Sequence, residues 1–320
     1  MRLAVHAALA LFVAACGKVT GPAQPDGGGG GTDIDSSPGS AIDGAATAPD
    51  GGAPACAWSA LDPGPFVNLN GTGSIESAAL TGDELILYYA FLPAGTDQID
   101  IYDAGRKSVD QPFGGARLVT EIMDPDFESD IEVSAPGDEI FFVRANAFDI
   151  WRTGSTVPGG PFGVPASTGL LGRSPSLSRN GLHLYFIDRD LSQIMRADRA
   201  SAGEAFGSPA VVGALGDYRW IDVSSDELHL LMSGRIAAAD ESTVAIASRT
   251  GVDDQFGEPV AAGDAFALGA DFRFLEDASW NADDSEVLIS AVLPATTDRL
   301  LYLSTCQLAD QASAATRSTE

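Results

Sequence analysis

The feature that most constrains the fold is a repeat of about 40–50 residues. Its first unit is a turn rich in Gly, Asn and Asp, followed directly by a short apolar strand. The clearest copies lie at residues 81–88, 136–143 and 179–186, and looser copies at 225–232 and 282–289. Gly or Asn-Gly supplies the positive φ that a tight hairpin needs. The β-branched and aromatic run after each turn is typical of a buried strand.

A second unit, built around Phe-Gly, follows every copy of the first unit except the last. Its phenylalanines are separated by 49, 44 and 50 residues: Phe113, Phe162, Phe206 and Phe256. Between the two units lies a further strand, such as residues 98–102 or 148–152. Four short strands in a period of this length predict an all-β fold, a β-propeller with blades of four antiparallel strands. The rungs of a stacked β-solenoid, the alternative for such a repeat, are shorter.

Five visible copies predict five blades. The 251 residues from Cys56 to Cys306 then give about 50 residues per blade, within the range of propeller repeats. Six blades remain the alternative if a degenerate blade lies within 88–130 or 232–280. Residues 64–69 resemble the second unit although no blade precedes them. We therefore expect the N-terminal segment to complete the last blade, so that strands from both termini close the ring.

The N-terminus carries an export signal. Arg2 precedes an apolar stretch over residues 3–15, which is too short to span a bilayer and is typical of a secretory signal peptide. Residues 13–17, Val-Ala-Ala-Cys-Gly, resemble the bacterial lipobox. That resemblance implies cleavage before Cys16 and lipidation of its thiol; an ordinary signal peptide with a chance cysteine is the alternative. The expected location is the bacterial cell envelope, with the outer membrane favoured because Gly17 and not Asp follows the cysteine.

The chain divides into four segments by composition. Residues 1–15 are the predicted signal peptide, 16–55 the lipidated cysteine and a tether rich in Gly, Pro and Asp, 56–308 the propeller, and 309–320 a polar tail. The tether lacks aromatic residues and cannot bury enough apolar surface to offset the entropy of ordering it. Acidic residues outnumber Lys and Arg by 45 to 18. This excess excludes a general nucleic-acid-binding protein, since few cations are present to neutralise phosphates.

The two remaining cysteines point to a disulfide. Cys56 precedes the first strand unit and Cys306 follows the last one. In a blade completed from both termini, these positions would lie in one connecting loop. An exported protein meets an oxidising compartment, so a Cys56–Cys306 disulfide is expected. Two separately buried thiols are the alternative.

The turn and strand together resemble a known repeat. Residues 174–186 and 134–151, a Ser-Pro-Asp-Gly-like turn followed by an apolar strand and, in the second, Asp-Ile-Trp, resemble the WD40-like Pro-Asp repeat of bacterial propellers. The periplasmic propeller of the Tol system carries such repeats. The resemblance implies a propeller over about 250 residues and says little about function. The second turn position varies among the copies: Thr81, Pro136, Asn180, Asp226 and Asp283.

Catalytic motifs are absent from the sequence. There is no Gly-x-Ser-x-Gly, phosphate loop, Cys-x-x-Cys or His-Glu-x-x-His. His6 belongs to the signal peptide, and His183 and His229 occupy equivalent positions in two repeats, which indicates a repeat position and not a metal pair. The tryptophans fall near strands, where blade packing is favoured over a platform for sugar stacking: Trp58, Trp151, Trp220 and Trp280.

Carboxylates are the remaining candidates for a site. The strand before each turn is predicted to be the innermost strand of its blade, lining a central channel. These strands carry Asp130, Glu132, Asp222 and Asp277, with Glu76 and Glu276 near the same level. Such carboxylates could bind a hard cation such as calcium, the only cofactor that the sequence suggests. They could also act as an acid–base pair on a glycan, or simply form a solvated acidic rim, the favoured interpretation.

The predicted function is therefore that of an exported lipoprotein, anchored to a membrane by its lipid, whose propeller binds another envelope protein. Loops on a rigid disc are suited to this role. A glycan-binding or carbohydrate-active propeller that uses the channel carboxylates is the alternative, and a purely structural envelope component is a third. An enzyme is less favoured than a binding protein.

Overall fold

The computed structural model describes residues 56–144, 148–190, 193–214, 216–235, 242–262, 274–292 and 298–308. The predicted signal peptide, Cys16, tether and C-terminal tail lie outside the described residues. Within the described ranges the chain forms antiparallel β-strands and one short 3-10 helix, Gly64–Phe66. No helix in these ranges is long and apolar enough to cross a membrane.

The strands form five four-stranded blades, as the repeat predicts. Blade 1 consists of β2–β5, blade 2 of β6–β8 and the first half of β9, and blade 3 of the second half of β9 and β10–β12. The strands of these blades are β2 Gly73–Leu80, β3 Ile86–Pro93, β4 Asp100–Gly105, β5 Gly114–Leu118, β6 Glu128–Val133, β7 Glu139–Arg144, β8 Asp149–Gly154, β9 Ala166–Leu177, β10 His183–Asp188, β11 Gln193–Asp198 and β12 Ala210–Ala214. The long strand β9 thus passes from the outer edge of blade 2 to the inside of blade 3.

Blades 4 and 5 complete the ring. Blade 4 consists of β13–β16, and blade 5 of β17–β19 with β1 as its outer strand. Their strands are β13 Trp220–Val223, β14 His229–Arg235, β15 Ser242–Ser248, β16 Val260–Ala261, β17 Phe274–Trp280, β18 Glu286–Val292, β19 Arg299–Leu308 and β1 Cys56–Trp58. Because β1 pairs with β19, strands from both ends of the domain close the last blade, which confirms the expected closure. The closing strand is Cys56–Trp58, however, and residues 64–66, which resemble the second unit, form the 3-10 helix and not a strand.

The hydrophobic core lies between the blades. Five clusters of buried side chains each join two neighbouring blades around the ring. The second strand of each blade is covered on both faces and therefore has a nearly continuous apolar sequence, as in β7, where Ile140 to Val143 are all buried. The phenylalanines of the second repeat unit pack against these interfaces between blades. Phe206, for example, lies edge-on to Phe141 of the preceding blade, with ring centroids 5.9 Å apart.

The cysteines do not lie in a connecting loop, contrary to the expectation. Cys56 belongs to β1 and Cys306 to β19, and these strands are paired. The register matches Cys56 with Leu308 and Cys306 with Trp58. The two cysteines are therefore two positions apart on adjacent strands. The disulfide remains a prediction.

The turns between the first and second strands of the blades differ from the expectation in two details. Their left-handed residue is Gly137 or Gly181 in two blades, but Glu84, Glu227 and Asp284 occupy the same place with φ of 58°, 61° and 61°. In blade 1, the second turn position is Asp83 and not Thr81, since the backbone N–H of Ile86 donates to the Thr81 hydroxyl just as that of His183 donates to Ser178. Hydrogen bonds of the Asx type thus define these turns more than glycine does.

Candidate functional site

The first strands of the five blades surround a central cavity. Its lining includes residues from β2, β6, β9, β13 and β17, among them all four predicted carboxylates, Asp130, Glu132, Asp222 and Asp277. In four of these strands the register to the second strand slips, between residues 75 and 77, 129 and 132, 173 and 176, and 275 and 278. These β-bulges re-aim side chains that simple alternation would place differently. Asp130 and Asp277 are bulge residues.

A closed ring of side-chain to backbone hydrogen bonds links these inner strands. In each case an oxygen on one blade accepts from a backbone N–H of the next blade. The bonds are Ile131 N to Ser77 Oγ (3.1 Å), Ser174 N to Asp130 Oδ2 (3.0 Å), Leu177 N to Glu132 Oε1 (3.1 Å), Val223 N to Ser176 Oγ (2.9 Å), Trp280 N to Asp222 Oδ2 (2.7 Å) and Ala78 N to Asp277 Oδ2 (3.3 Å). The carboxylates therefore satisfy backbone donors that face the channel and have no strand partner there.

The serines of this ring were not anticipated from the sequence. Ser77 and Ser176 take the place that carboxylates hold at the other blade interfaces. Ser176 also donates to Asp222 Oδ1 at 2.6 Å. Their recurrence in the strands before the turns, as in Ser174-Pro175-Ser176-Leu177-Ser178, is a signal that could have identified them. Small hydroxyl side chains and carboxylates thus serve one structural role in different blades.

Three of the channel carboxyl groups have raised pKa values. Burial, first of all, raises the pKa of Asp222 to about 7, although Ser176 and the backbone N–H of Trp280 favour its charged form. Burial and the nearby Asp222 raise the pKa of Glu132 well above its usual range. Burial and the nearby Asp130 do the same for Asp277. Burial and the like charges of neighbouring carboxyl groups both disfavour the ionised form, so the pKa shifts of all three groups have the same direction.

A cation lies beside Asp130. The guanidinium Nε of Arg173 is 3.4 Å from Asp130 Oδ2. Arg173 also lies over the ring of Trp220, with its central carbon 5.4 Å from the ring centroid. Asp130 has φ of 50°, an uncommon conformation for a residue with a side chain. The bulge and this ion pair together hold Asp130 at the channel wall.

One mouth of the channel opens on the side of the turns. A cavity lies there, and Glu132, Asp222 and Asp284 contribute to its wall. The guanidinium of Arg179, in the turn of blade 3, donates to the carbonyl oxygen of Ala282 in the turn of blade 5. Because blade 4 lies between these turns in the ring, Arg179 bridges part of the opening.

The left-handed acidic residues of the turns tie each blade to the preceding one. Glu84 accepts from Asn281 Nδ2 at 2.9 Å, across the boundary where the ring closes. Asp284 accepts from the backbone N–H and the hydroxyl of Ser225. Glu227 Oε2 lies 2.7 Å from His183 Nδ1 and accepts from the Tyr185 hydroxyl at 2.8 Å. Sequence reasoning noticed the turns but not this use of their carboxylates.

The two histidines occupy equivalent places, at the start of the second strand of blades 3 and 4. His183 contacts Glu227 of the next blade, and His229 contacts the hydroxyl of Ser248 within its own blade, 3.0 Å from Nδ1. Within the described ranges, no group of three or more His, Cys, Asp or Glu side chains is placed to hold a metal ion.

The tryptophans contact protein groups. Trp58, which is 8% exposed, lies against Trp280 with ring centroids 5.6 Å apart, at the closure of blade 5. The guanidinium of Arg144 lies over the ring of Trp151, with its central carbon 4.0 Å from the ring centroid. Trp220 has Arg173 over its ring. These indole rings pack against side chains of the propeller, and this packing occupies ring surface on which a sugar would have to stack.

Glu128 is a buried acid that the sequence did not single out. Its side chain is inaccessible to solvent, and neither carboxyl oxygen has a hydrogen-bond partner among the residues that the structure describes. Arg144 Nε lies 3.7 Å away. Burial raises the pKa of Glu128 to about 8, with Arg144 acting in the opposite direction. Glu128 begins β6, directly after the loop that leads from blade 1 to blade 2.

The overall structure is similar to known propellers. The α-L-arabinofuranosidase PaAbf62A of Podospora anserina aligns with a TM-score of 0.57 and 9% identity, over 79% of this chain and 97% of that one. The catalytic domain of a Coprinopsis cinerea GH62 α-L-arabinofuranosidase gives 0.56 and 10%, with the same coverage. TolB of Acinetobacter baumannii gives 0.45 and 18%, over 73% of this chain and 55% of that one. At these identities the likeness shows the fold alone.

Sequence comparisons do not assign the chain to a family. No protein-family model matches the chain, and no curated protein is similar to it in sequence. The β-propeller is thus established by the five blades and by the similar structures. The relation to the Pro-Asp repeat family remains a prediction.

Proposed function

We propose that this protein is an exported, lipid-anchored β-propeller that binds another protein of the cell envelope and has no catalytic role of its own. The observation that carries the proposal is the use of the channel carboxylates. Asp130, Glu132, Asp222 and Asp277 each accept a backbone N–H of a neighbouring blade. A carboxyl oxygen that accepts a structural hydrogen bond is less available to a substrate or a water molecule. Here these oxygens hold the disc together, and the loops remain as the surface for recognition.

The envelope location rests on the N-terminal sequence. Arg2, the apolar residues 3–15 and the lipobox-like residues 13–17 support export and lipidation at Cys16. Two or three acyl chains would anchor the protein stably, whereas one would not. Metabolic labelling with palmitate should mark the wild-type protein and not a Cys16→Ser variant. Labelling that persists in the Cys16→Ser variant would contradict lipidation at Cys16.

The binding function is tested by isosteric changes in the channel. Full-length protein carrying Glu132→Gln and Asp222→Asn keeps the shape and an acceptor oxygen at both positions. If the propeller is a binding scaffold, crosslinking in intact envelopes should give the same discrete protein adduct with the variant as with the wild type. Absence of any adduct with the wild-type protein would contradict the scaffold.

A second candidate is action on, or binding of, a glycan at the mouth of the channel. Glu132 and Asp222 line one cavity, and burial raises the pKa of both, that of Asp222 to about 7. Glycoside hydrolysis uses a carboxyl group with a raised pKa as the general acid, beside a second carboxyl group that is ionised. Oligosaccharide binding or hydrolysis that the double variant abolishes, with its fold intact by circular dichroism, would favour this candidate over the scaffold.

A further inference from the structure

Two neighbouring loops lie on the face opposite the turns, and the second of them exposes two large apolar side chains. One connects β3 to β4 over residues 94–99, and the other connects blade 1 to blade 2 over residues 119–127. Met123 and Phe127, both in the second loop, are 56% and 41% exposed. Large apolar side chains exposed together on a loop often mark a contact surface.

Hydrogen bonds and contacts with the core hold these two loops in position. The side-chain amide of Gln98 donates to the carbonyl oxygens of Asp126 at 2.9 Å and of Asp124 at 3.4 Å. Arg144 donates to the Ile122 carbonyl and pairs with Asp124. The loop also buries Val119 and Ile122 in the core between blades 1 and 2. The backbone that carries Met123 and Phe127 is thus held in position before any partner binds, so little backbone entropy would be lost on binding.

The charge around these side chains is mainly negative. The two loops contain Asp97, Glu121, Asp124 and Asp126 and no Lys or Arg, and the exposed guanidinium of Arg117, two residues before the second loop, is paired with Asp103. Arg144 reaches the loops from β7, but it is only 14% exposed and already lies near Asp124 and Glu128. Asp97 and Glu121 are exposed to solvent. A partner with basic groups around an apolar centre would find complementary charge here.

We propose that these two loops form a docking surface for a basic segment of a partner protein, with apolar side chains of that segment packing on Met123 and Phe127. This inference rests on the proposed binding function and names the surface that serves it. The acidic rim would steer the partner, and the apolar centre would supply most of the affinity. The turn face, with the channel mouth and Arg179, is then not the primary contact.

The first experiment locates the partner. A photoreactive phenylalanine analogue is placed at position 127, at Val157 on the turn face, or at Val164 on an outer edge, each in the full-length protein in intact envelopes. Val157 and Val164 are 51% and 93% exposed, so both controls are accessible. A protein adduct from position 127 that is lost on Asp97→Lys/Glu121→Lys supports the proposal. An adduct from position 157 only would contradict the docking surface but not the proposed binding function. No adduct from any of the three positions would contradict both the docking surface and the binding function.

The second experiment uses defined probes. Labelled 14-residue peptides of Lys and Leu, of Glu and Leu, and of Lys and Ser are titrated with full-length protein by fluorescence anisotropy. The Lys/Leu peptide should bind most tightly, and its affinity should fall about tenfold or more on Met123→Ser/Phe127→Ser and on raising the salt concentration. The matched control, Val164→Ser/Val260→Ser, should leave it unchanged. Equal binding of the Glu/Leu peptide, or equal losses in the control, would overturn the proposal.

Discussion

The backbone N–H of Trp280 donates a hydrogen bond of 2.7 Å to Asp222 Oδ2 across the boundary between blades 4 and 5. The other oxygen of Asp222 accepts from the Ser176 hydroxyl of blade 3 at 2.6 Å. One carboxyl group therefore joins three consecutive blades at the channel wall. Similar bonds at the other boundaries make the ring of inner strands continuous.

Replacing this carboxyl group should destabilise the propeller. Asp222→Ala leaves the Trp280 N–H and the Ser176 hydroxyl without their acceptor, at a cost of about 2–4 kcal/mol in the free energy of unfolding. Asp222→Asn keeps one acceptor oxygen and should cost clearly less. Urea unfolding of the two variants beside Asp253→Ala, whose side chain is exposed, provides the measurement. An Ala variant as stable as the Asp253 control would show that the ring of hydrogen bonds contributes nothing.

Stability should decrease as the pH rises from about 5 to 8. The native pKa values of Glu132, Asp222 and Asp277 are raised, that of Asp222 to about 7, above unfolded values near 4. Between these limits the native state binds more protons than the unfolded chain, so the free energy of unfolding falls with pH. Asp226 and Asp283, whose pKa values are lowered by hydrogen bonds from Ser224 and Ser285 against the effect of burial, act in the opposite sense at lower pH.

The contribution of the channel groups is isolated by a triple variant, Glu132→Gln/Asp222→Asn/Asp277→Asn. Its stability should change less between pH 5 and 8 than that of the wild type, because the three groups no longer titrate. Chemical unfolding at several pH values gives both curves. Parallel curves would mean that these carboxyl groups have no raised pKa in the folded protein.

The predicted disulfide can be measured directly. Cys56 and Cys306 lie on paired strands, two positions apart in register. If they are joined, non-reducing mass spectrometry of exported protein should find both cysteines in one linked peptide pair. Reduction should then lower the melting temperature, since the bridge would close a loop of about 250 residues worth up to about 5 kcal/mol in the chain-entropy model. Modification of both thiols in the native, unreduced protein would refute the bridge.

Glu227 should act as a clamp between blades 3 and 4. Glu227→Ala removes its contacts with His183 and the Tyr185 hydroxyl, with a loss of about 1.5–3 kcal/mol for hydrogen bonds to a charged group. The residue has φ of 61°, so Glu227→Gly relieves backbone strain while it removes the same contacts. We expect the Gly variant to be more stable than the Ala variant and less stable than the wild type, as measured by thermal unfolding. A Gly variant at least as stable as the wild type would show that the clamp is weaker than the strain.

The sequence by itself determined the architecture. The spacing of the turns and of Phe113, Phe162, Phe206 and Phe256 fixes the repeat length, and the apolar run in each copy marks the buried second strand. These signals are local, because strand alternation and turn chemistry depend on neighbours in sequence. The blade number, the innermost position of the strands before the turns and the closure by the N-terminal strand follow from them.

Only the tertiary structure decided what the carboxylates do. The partners of Asp130, Asp222 and Glu227 come from other blades, 42 to 58 residues away in sequence, and no local pattern encodes such pairings. The bulges at Asp130 and Asp277 shift the register that alternation would give. The same residue types can therefore form a ligand site or a hydrogen-bonded ring. The choice depends on which backbone donors the ring closure leaves without a strand partner.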